Sequence, residues 1–187
     1  MTAATRTAIR NYVAGSWDID PVHSDVSFTV RHMMVSKVRG RFAQISGEIV
    51  TGEELTSSSV TATVDATSID TGTPQRDDHI RSADFFDTAN HPNWTFRSTG
   101  IRADGEDYAL DGELTVKGVT RPVTFALEVS GFGPDPYGGT RAGFSASTTI
   151  NRSDFGVDTQ LPLDGGGVVV GEKVQVNLEI QGVLRQS

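Results

Sequence analysis

Cysteine is absent from the 187 residues of this sequence. This absence excludes disulfide bonds, zinc–thiolate sites, iron–sulfur clusters and cysteine nucleophiles together. Long apolar runs are also missing, because no stretch approaches the roughly 18 uninterrupted apolar residues that a membrane-spanning helix needs. The N-terminal residues are polar and lack the apolar core of a secretory signal. Together with the initial Met1, this favours a cytoplasmic protein without a transmembrane segment.

Basic residues are fewer than acidic ones. Sixteen Lys and Arg residues stand against 24 Asp and Glu residues, which gives a formal net charge of −8 at pH 7. An acidic chain repels phosphate backbones, so nucleic-acid binding is not expected. The length suits one compact domain. Residues 1–14 show no sustained period and are predicted to form a flexible N-terminal arm, ahead of a single domain over residues 15–187.

Alternation of apolar and polar residues dominates the chain from Trp17 onward. A period of two is typical of half-buried β-strands, and the pattern predicts about eight of them. Several are much longer than the roughly 5–6 residues of an ordinary strand. A change of parity near Ala43 and Gln44 predicts a β-bulge. Asp104-Gly105 is the clearest signal for a two-residue hairpin turn.

Long alternating strands must hide one apolar face and protect their edges. Closing the sheet on itself does both. The sequence therefore predicts an all-β fold, an extended eight-stranded antiparallel up-and-down barrel. A two-sheet sandwich has the same periodicity and is the alternative.

One interval, residues 73–91, breaks the alternation and is predicted to form a helical insertion. Thr73 and Pro74 resemble an N-cap followed by proline at the first helical position. Asp77 falls in the first turn, where the helix dipole favours negative charge. The helical run is expected to end just before Pro92, because the residue before a proline avoids the helical region.

Signatures of catalytic and metal sites are missing from the sequence. No HxH, HExxH or EF-hand pattern occurs, and no serine lies in a GxSxG elbow. The run Gly165-Gly166-Gly167 is not followed by the Lys-Ser or Lys-Thr of a phosphate loop. We therefore predict neither a metal nor a cofactor, and no catalytic residue.

Two polar groups allow both a functional and a structural interpretation. His32 shares the parity of the apolar residues at 26, 28 and 30, so it is either a satisfied core histidine or a functional group at the polar end of an inward stripe. Arg76, His79 and Arg81 could hold an anionic group through charge-assisted hydrogen bonds. They could instead pair with neighbouring Asp residues in an internal network that anchors the helix.

Seven stretches of the sequence resemble the YceI-like family. They are WDIDPVHS at 17–24, VSFTVRHM at 26–33, TSIDT at 67–71, RDDHIRSADFF at 76–86, GELTVKGVTRPV at 112–123, YGGTRAGF at 137–144 and NRSDFG at 151–156. They occur in order and at the expected spacing, and the resemblance covers about residues 15–184.

The resemblance implies a lipocalin-like barrel of eight strands with one helical insertion. It also implies a long internal pore that holds a polyisoprenoid chain, and a homodimer. The expected function is storage or transport of an isoprenoid lipid, either a polyprenyl phosphate or an isoprenoid quinone, by a binding protein that is not an enzyme.

The residues predicted to contact the lipid form an apolar set and a polar set. The apolar set lines the tube and comprises Val26, Phe28, Val30, Val64, Tyr108, Leu110, Phe125 and Phe144. The polar set meets the head group and comprises His32, Arg76, His79 and Arg81. Two other functions stay open: an enzyme that acts on an amphiphile in the same cavity, with His32 as a base, and a barrel with a filled interior that serves as a protein-interaction module.

Overall fold

The strands of this protein form one antiparallel sheet that closes on itself. The computed structural model describes residues 8–32, 36–158 and 170–186, with the backbone only of His32. Its strands and helix are β1 (Gly15–Ile19), β2 (Asp25–His32), β3 (Ser36–Phe42), β4 (Ile45–Thr51), β5 (Ser59–Asp65), β6 (Ile69–Asp70), α1 (Pro74–Arg81), β7 (Asn93–Asp104), β8 (Asp107–Val116), β9 (Val119–Pro134), β10 (Thr140–Asn151) and β11 (Val170–Leu184). Short 3-10 helices lie at Leu55–Ser57, Ala66–Ser68 and Arg152–Phe155.

Closure joins eight of these strands into a barrel. The ring runs β1, β4, β5, β7, β8, β9, β10 and β11, and β11 returns to β1. The remaining strands extend the sheet beyond the short strand β1. The first part of β11 pairs with β2, β2 pairs with β3, and β3 pairs with β6. The predicted closed barrel is confirmed, and the sandwich alternative is wrong.

The change of parity at Ala43 and Gln44 is a break between two strands and not a bulge. Phe42 ends β3, Ile45 begins β4, and both side chains are buried. Ala43 donates its N–H to the Ser68 carbonyl at 3.3 Å, and Gln44 donates its N–H to the Ser68 hydroxyl at 3.1 Å. These two residues therefore leave the strand ladder, and the predicted bulge was wrong.

The helical insertion begins where predicted and ends earlier. Thr73 is the N-cap residue of α1 and Pro74 its first residue. The N–H and the hydroxyl of Ser82 both donate to the His79 carbonyl, at 3.1 and 2.5 Å, and this ends the helix. Turns occupy most of residues 82–91, so the prediction that the helical run continues until just before Pro92 was wrong.

The last part of the N-terminal segment packs against the barrel. Ile9, Tyr12 and Val13 contact the hydrophobic core, and the Tyr12 hydroxyl donates to the Gly52 carbonyl at 2.8 Å. Residues 1–7 lie outside the described residues. The division of the chain at residue 15 stays a prediction, although residues 9–13 do not lie free of the domain.

Tight turns set the register of the central hairpins. Asp104 pairs with Asp107 across the two-residue loop that contains Gly105, as the sequence predicts. Lys117 and Gly118 both have positive φ, 52° and 76°, between β8 and β9. Positive φ at both central residues is the requirement of a type I′ turn, whose twist matches the flanking strands. The run Gly165-Gly166-Gly167 lies outside the described residues.

Two glycines let aromatic rings lie flat against the barrel wall. A Cβ atom at Gly40 would lie 2.3 Å from Cζ of Phe28, the residue opposite it on β2. A Cβ atom at Gly112 would lie 2.3 Å from Cζ of Phe96. Each ring therefore fills the space of a missing side chain on the neighbouring strand, and the barrel axis stays clear of it.

We expect Gly40→Ala to lower the free energy of unfolding by about 1–3 kcal/mol, because the added methyl group displaces the Phe28 ring. Gly133→Ala is the matched control, since its Cβ atom would meet nothing within 4 Å. Urea unfolding of both variants measures the difference. Equal losses in the two variants would contradict the packing of Phe28 over Gly40.

Candidate functional site

The barrel encloses an apolar cavity of about 190 Å³. Every strand except β6 contributes to its wall, which includes Ile19, Ile49, Val60, Ala62, Ala146 and Leu178. Apolar cavities of about 150 Å³ stay dry and accept apolar guests. The interior is therefore not filled by side chains, which argues against the packed barrel that serves only as an interaction module.

The cavity is elongated along the strands. Phe144 and Ile150 both line it and lie six residues apart on β10. At roughly 3.3 Å per residue, this separation corresponds to about 20 Å along the strand. An apolar space of this shape matches an extended hydrocarbon chain better than a compact ring system.

Aromatic side chains close one end of the barrel. The Phe132 ring lies 5.1 Å from the Tyr12 ring and 5.6 Å from the Trp17 ring, measured between centroids. Trp17 is fully buried, and its indole Nε1 donates to the Thr51 hydroxyl at 2.9 Å. At this end, the aromatic rings are packed together and the indole N–H of Trp17 has a hydrogen-bond acceptor.

A buried arginine lies at the opposite end. Arg152 lines the cavity together with Phe155 and Val157 and is 6% exposed. Its Nη1 donates to the Val157 carbonyl at 2.7 Å, and its Nε donates to the Gly171 carbonyl at 2.9 Å. Arg152 is the only charged side chain among the described lining residues. The cavity is therefore apolar along its length and carries the side chain of Arg152 at this end.

Trp94, another residue of the cavity wall, has a buried indole nitrogen without a hydrogen-bond partner among the residues that the structure describes. Its ring packs against Phe42 and Phe86 with centroids 4.7 Å away in each case. Within the described part of the chain, its Nε1 is the buried side-chain nitrogen or oxygen that has no hydrogen-bond partner. A buried indole N–H usually finds an acceptor, so this position differs sharply from Trp17.

Comparisons with known proteins identify the family. The family model described as the YceI-like domain matches residues 17–182. The chain belongs to the YceI-like family. Protein YceI of Escherichia coli O17:K52:H18 is 37% identical over 174 residues, which cover 91% of this chain and 88% of the relative.

Solved structures agree with the barrel. BcnA of Burkholderia cenocepacia has a TM-score of 0.75 at 26% identity and covers 87% of this chain and 98% of its own. A polyisoprenoid binding domain from Saccharophagus degradans, implicated in plant cell wall breakdown, has a TM-score of 0.69 at 19% identity over 92% of this chain and 100% of its own. The latter likeness concerns the fold alone.

Two of the YceI-like stretches meet at the aromatic end. Asp20, from the first stretch, accepts from Arg141 Nη1 at 2.7 Å and lies 2.8 Å from Nδ1 of His23. Arg141 also donates through Nε to Asp135 at 3.0 Å. The hydrogen bond from Arg141, with a smaller contribution from His23, holds the pKa of Asp20 well below its ordinary value. This network ties the β1–β2 connection to the β9–β10 connection.

The predicted apolar contacts of this YceI-like barrel divide into two groups. Six of them line the cavity: Val26, Phe28, Val64, Leu110, Phe125 and Phe144. Tyr108 is buried in the core without reaching the cavity wall, and Val30 is half-buried near the end of β2. The alternation of the sequence predicts which side chains point inward. It does not predict how far along the barrel the cavity extends, because that depends on the neighbouring strands. Contact of these residues with lipid stays a prediction.

Three of the predicted polar contacts, Arg76, His79 and Arg81, do not line the described cavity. Arg76 bonds to Thr71 through Nε at 2.8 Å and Nη2 at 2.7 Å. His79 Nε2 lies 3.0 Å from Asp84, and Arg81 lies 3.0 Å from Asp78.

These contacts match the alternative of an internal network that anchors α1. Arg81 extends this network, since its Nε donates to the Thr67 carbonyl at 2.9 Å and its Nη2 to the Ile69 carbonyl at 3.0 Å. A role for these three residues with an anionic head group stays a prediction. The side chain of His32 lies outside the described residues.

Sequence reasoning did not select two residues of the site. Arg152 lies in a run, Asn151-Arg152-Ser153, whose pattern is that of a glycosylation acceptor. Trp94 shares the parity of Phe96 and could have been placed on the inward face by that signal. The missing partner of its N–H is a property of the packed structure and has no sequence signal.

Substituting each tryptophan by phenylalanine tests the contrast between them. We expect Trp17→Phe to cost about 1–3 kcal/mol, because it removes the donor to Thr51, whereas Trp94→Phe is expected to cost less, since it removes an unsatisfied buried donor. Urea unfolding at equilibrium measures both. A larger loss in Trp94→Phe would mean that its N–H is satisfied in the folded protein.

The Asp20 network gives stability a dependence on pH. The lowered pKa stabilises the folded state above the ordinary carboxyl pKa of about 3.9, and this contribution is lost as the pH falls below it. We expect Asp20→Asn to cost about 1 kcal/mol at neutral pH, with the cost shrinking below about pH 4. Thermal or urea unfolding across this range measures it. A cost that stays constant down to the lowest accessible pH would contradict the assignment.

Proposed function

We propose that this YceI-like protein binds an isoprenoid lipid in the barrel interior and stores or transports it without chemical change. The observation that carries the proposal is the elongated apolar cavity that ends at one buried cation. Burial of each methylene group contributes about 0.8 kcal/mol, so a tail of several isoprene units gains substantial affinity without any polar contact. The polyisoprenoid binding domain from Saccharophagus degradans, which has the same fold, supports this ligand class.

The proposed orientation places the lipid tail toward Trp17 and the head group toward Arg152. The aromatic end has no unsatisfied donor at Trp17, because Nε1 is bonded to Thr51. Positive charge at the other end favours a phosphate or a carbonyl-bearing head group. The Arg152 guanidinium already donates to protein carbonyls, so it acts on the head group mainly through its charge.

Mass spectrometry of an organic extract tests occupancy directly. Protein purified without detergent is expected to release a stoichiometric species of isoprenoid mass, and incubation is expected to leave that mass unchanged. Conversion of the ligand to a new mass would support the alternative of an enzyme that acts on an amphiphile. An extract that stays empty after prenyl lipids and quinones are offered would contradict the proposal. The homodimer and the cytoplasmic location stay predictions.

A matched pair of variants locates the ligand. Ala146 lines the cavity, whereas Ala126 is exposed on β9. We expect Ala146→Phe to reduce lipid binding at least about tenfold, since the ring removes space that several methylene groups would occupy. Ala126→Phe is expected to bind as the unsubstituted protein does, in a titration followed by intrinsic fluorescence. Equal binding by both variants would place the lipid outside the barrel.

A further inference from the structure

Exposed cations gather on the outer face of three neighbouring strands. Arg31 on β2 lies directly opposite Lys37 on β3, and Arg39 lies two residues farther along β3. Lys173 lies on β11, the other neighbour of β2. All four side chains are exposed. We refer to Arg31, Lys37, Arg39 and Lys173 as the basic face.

The cations of the basic face lack partners. Across residues 8–32, 36–158 and 170–186, none of these four side chains forms a hydrogen bond or an ion pair. Six other arginines among the described residues lie within 3.7 Å of a carboxylate, namely Arg41, Arg81, Arg97, Arg102, Arg141 and Arg185. Carboxylates outnumber cations in this chain. A shortage of acidic partners therefore does not explain the unpaired cations.

The arrangement also opposes stability. Arg31 and Lys37 are directly opposed across two antiparallel strands, and like charges in that position destabilise a sheet. An acidic residue at either position would remove the repulsion. The cost of this pair is thus explained better by an external anion than by the fold.

The basic face lies beside the cation-bearing end of the cavity. Lys173 on β11 pairs with Asn151 on β10, and Asn151 is the neighbour of Arg152. Lys173 also precedes Val174, which lines the cavity. The basic face therefore lies on the outside of the barrel, at the same end as Arg152 in the cavity. An anionic surface bound there would face the end of the barrel proposed to hold the head group.

We propose that the basic face docks the protein on an anionic lipid bilayer. Charges farther away than the Debye length of about 8 Å at physiological ionic strength are screened. The field at the face therefore depends on these four cations and on the nearest carboxylates, which include Asp25 and Asp70 beside Arg39, more than on the net charge of the chain. Each Lys or Arg near an anionic bilayer strengthens binding about fivefold. A single-stranded nucleic acid fits less well, because its sites combine cations with stacking aromatic residues, whereas the face presents Thr29 and Gln175 beside its cations.

Vesicle sedimentation tests the docking. The probe is vesicles of phosphatidylcholine, with and without an equal part of phosphatidylglycerol, and neither contains an isoprenoid lipid. We expect binding only to the anionic vesicles and release by high salt. The variant Arg31→Gln/Lys37→Gln/Arg39→Gln is expected to bind them about a hundredfold more weakly.

The matched control is Arg97→Gln/Arg102→Gln/Arg121→Gln, which removes the same charge from β7 and β9. Retained binding by this control supports the proposal. Equal loss in both variants, binding to neutral vesicles, or no binding by the unsubstituted protein would overturn it, as would preferential binding of a single-stranded RNA. Since the vesicles lack isoprenoid, failure of docking and failure of lipid uptake are separate results.

Discussion

The barrel depends on the seam where the first strand joins the last. Only Trp17, Asp18 and Ile19 of β1 pair with β11, opposite Leu184, Val183 and Gly182. Arg185 reinforces this short ladder, because it donates to Asp18 at 2.7 Å and to Glu48 on β4 at 3.0 Å. Gly182 permits the approach, since a Cβ atom there would lie 3.2 Å from that of Trp17. Without this seam the sheet would have two open edges and no enclosed interior.

Closure explains why the interior tolerates so few polar atoms. Inside an apolar cavity, each buried polar group must be satisfied by protein, because water does not fill such a space. Trp17 meets this demand through Thr51, and Arg152 meets it through backbone carbonyls. Trp94 does not, since its buried Nε1 has no hydrogen-bond partner among the described residues. The residues of the cavity wall therefore combine apolar packing with one unsatisfied buried donor.

Sequence periodicity could predict the barrel because a strand shows its buried face in every second residue. It placed Phe28, Leu110, Phe125 and Phe144 inward, and all four line the cavity. It could not distinguish a bulge from a break at Ala43 and Gln44, since both reverse the parity. It also could not decide whether Arg81 faces a ligand or anchors α1. That depends on the carbonyls of Thr67 and Ile69, more than ten residues away along the chain.

The two ends of the barrel differ in what a passing ligand would disturb. Passage at the Trp17 end would separate rings packed 5.1 and 5.6 Å apart and break the bond to Thr51. It would also disturb the Asp20–Arg141 pair that ties two strand connections together. At the other end, Arg152 lines the cavity, and the basic face lies on the adjacent outer wall. Exchange at the Arg152 end would break the hydrogen bonds from Arg152 to the Val157 and Gly171 carbonyls, but it would keep the head group beside the proposed bilayer surface.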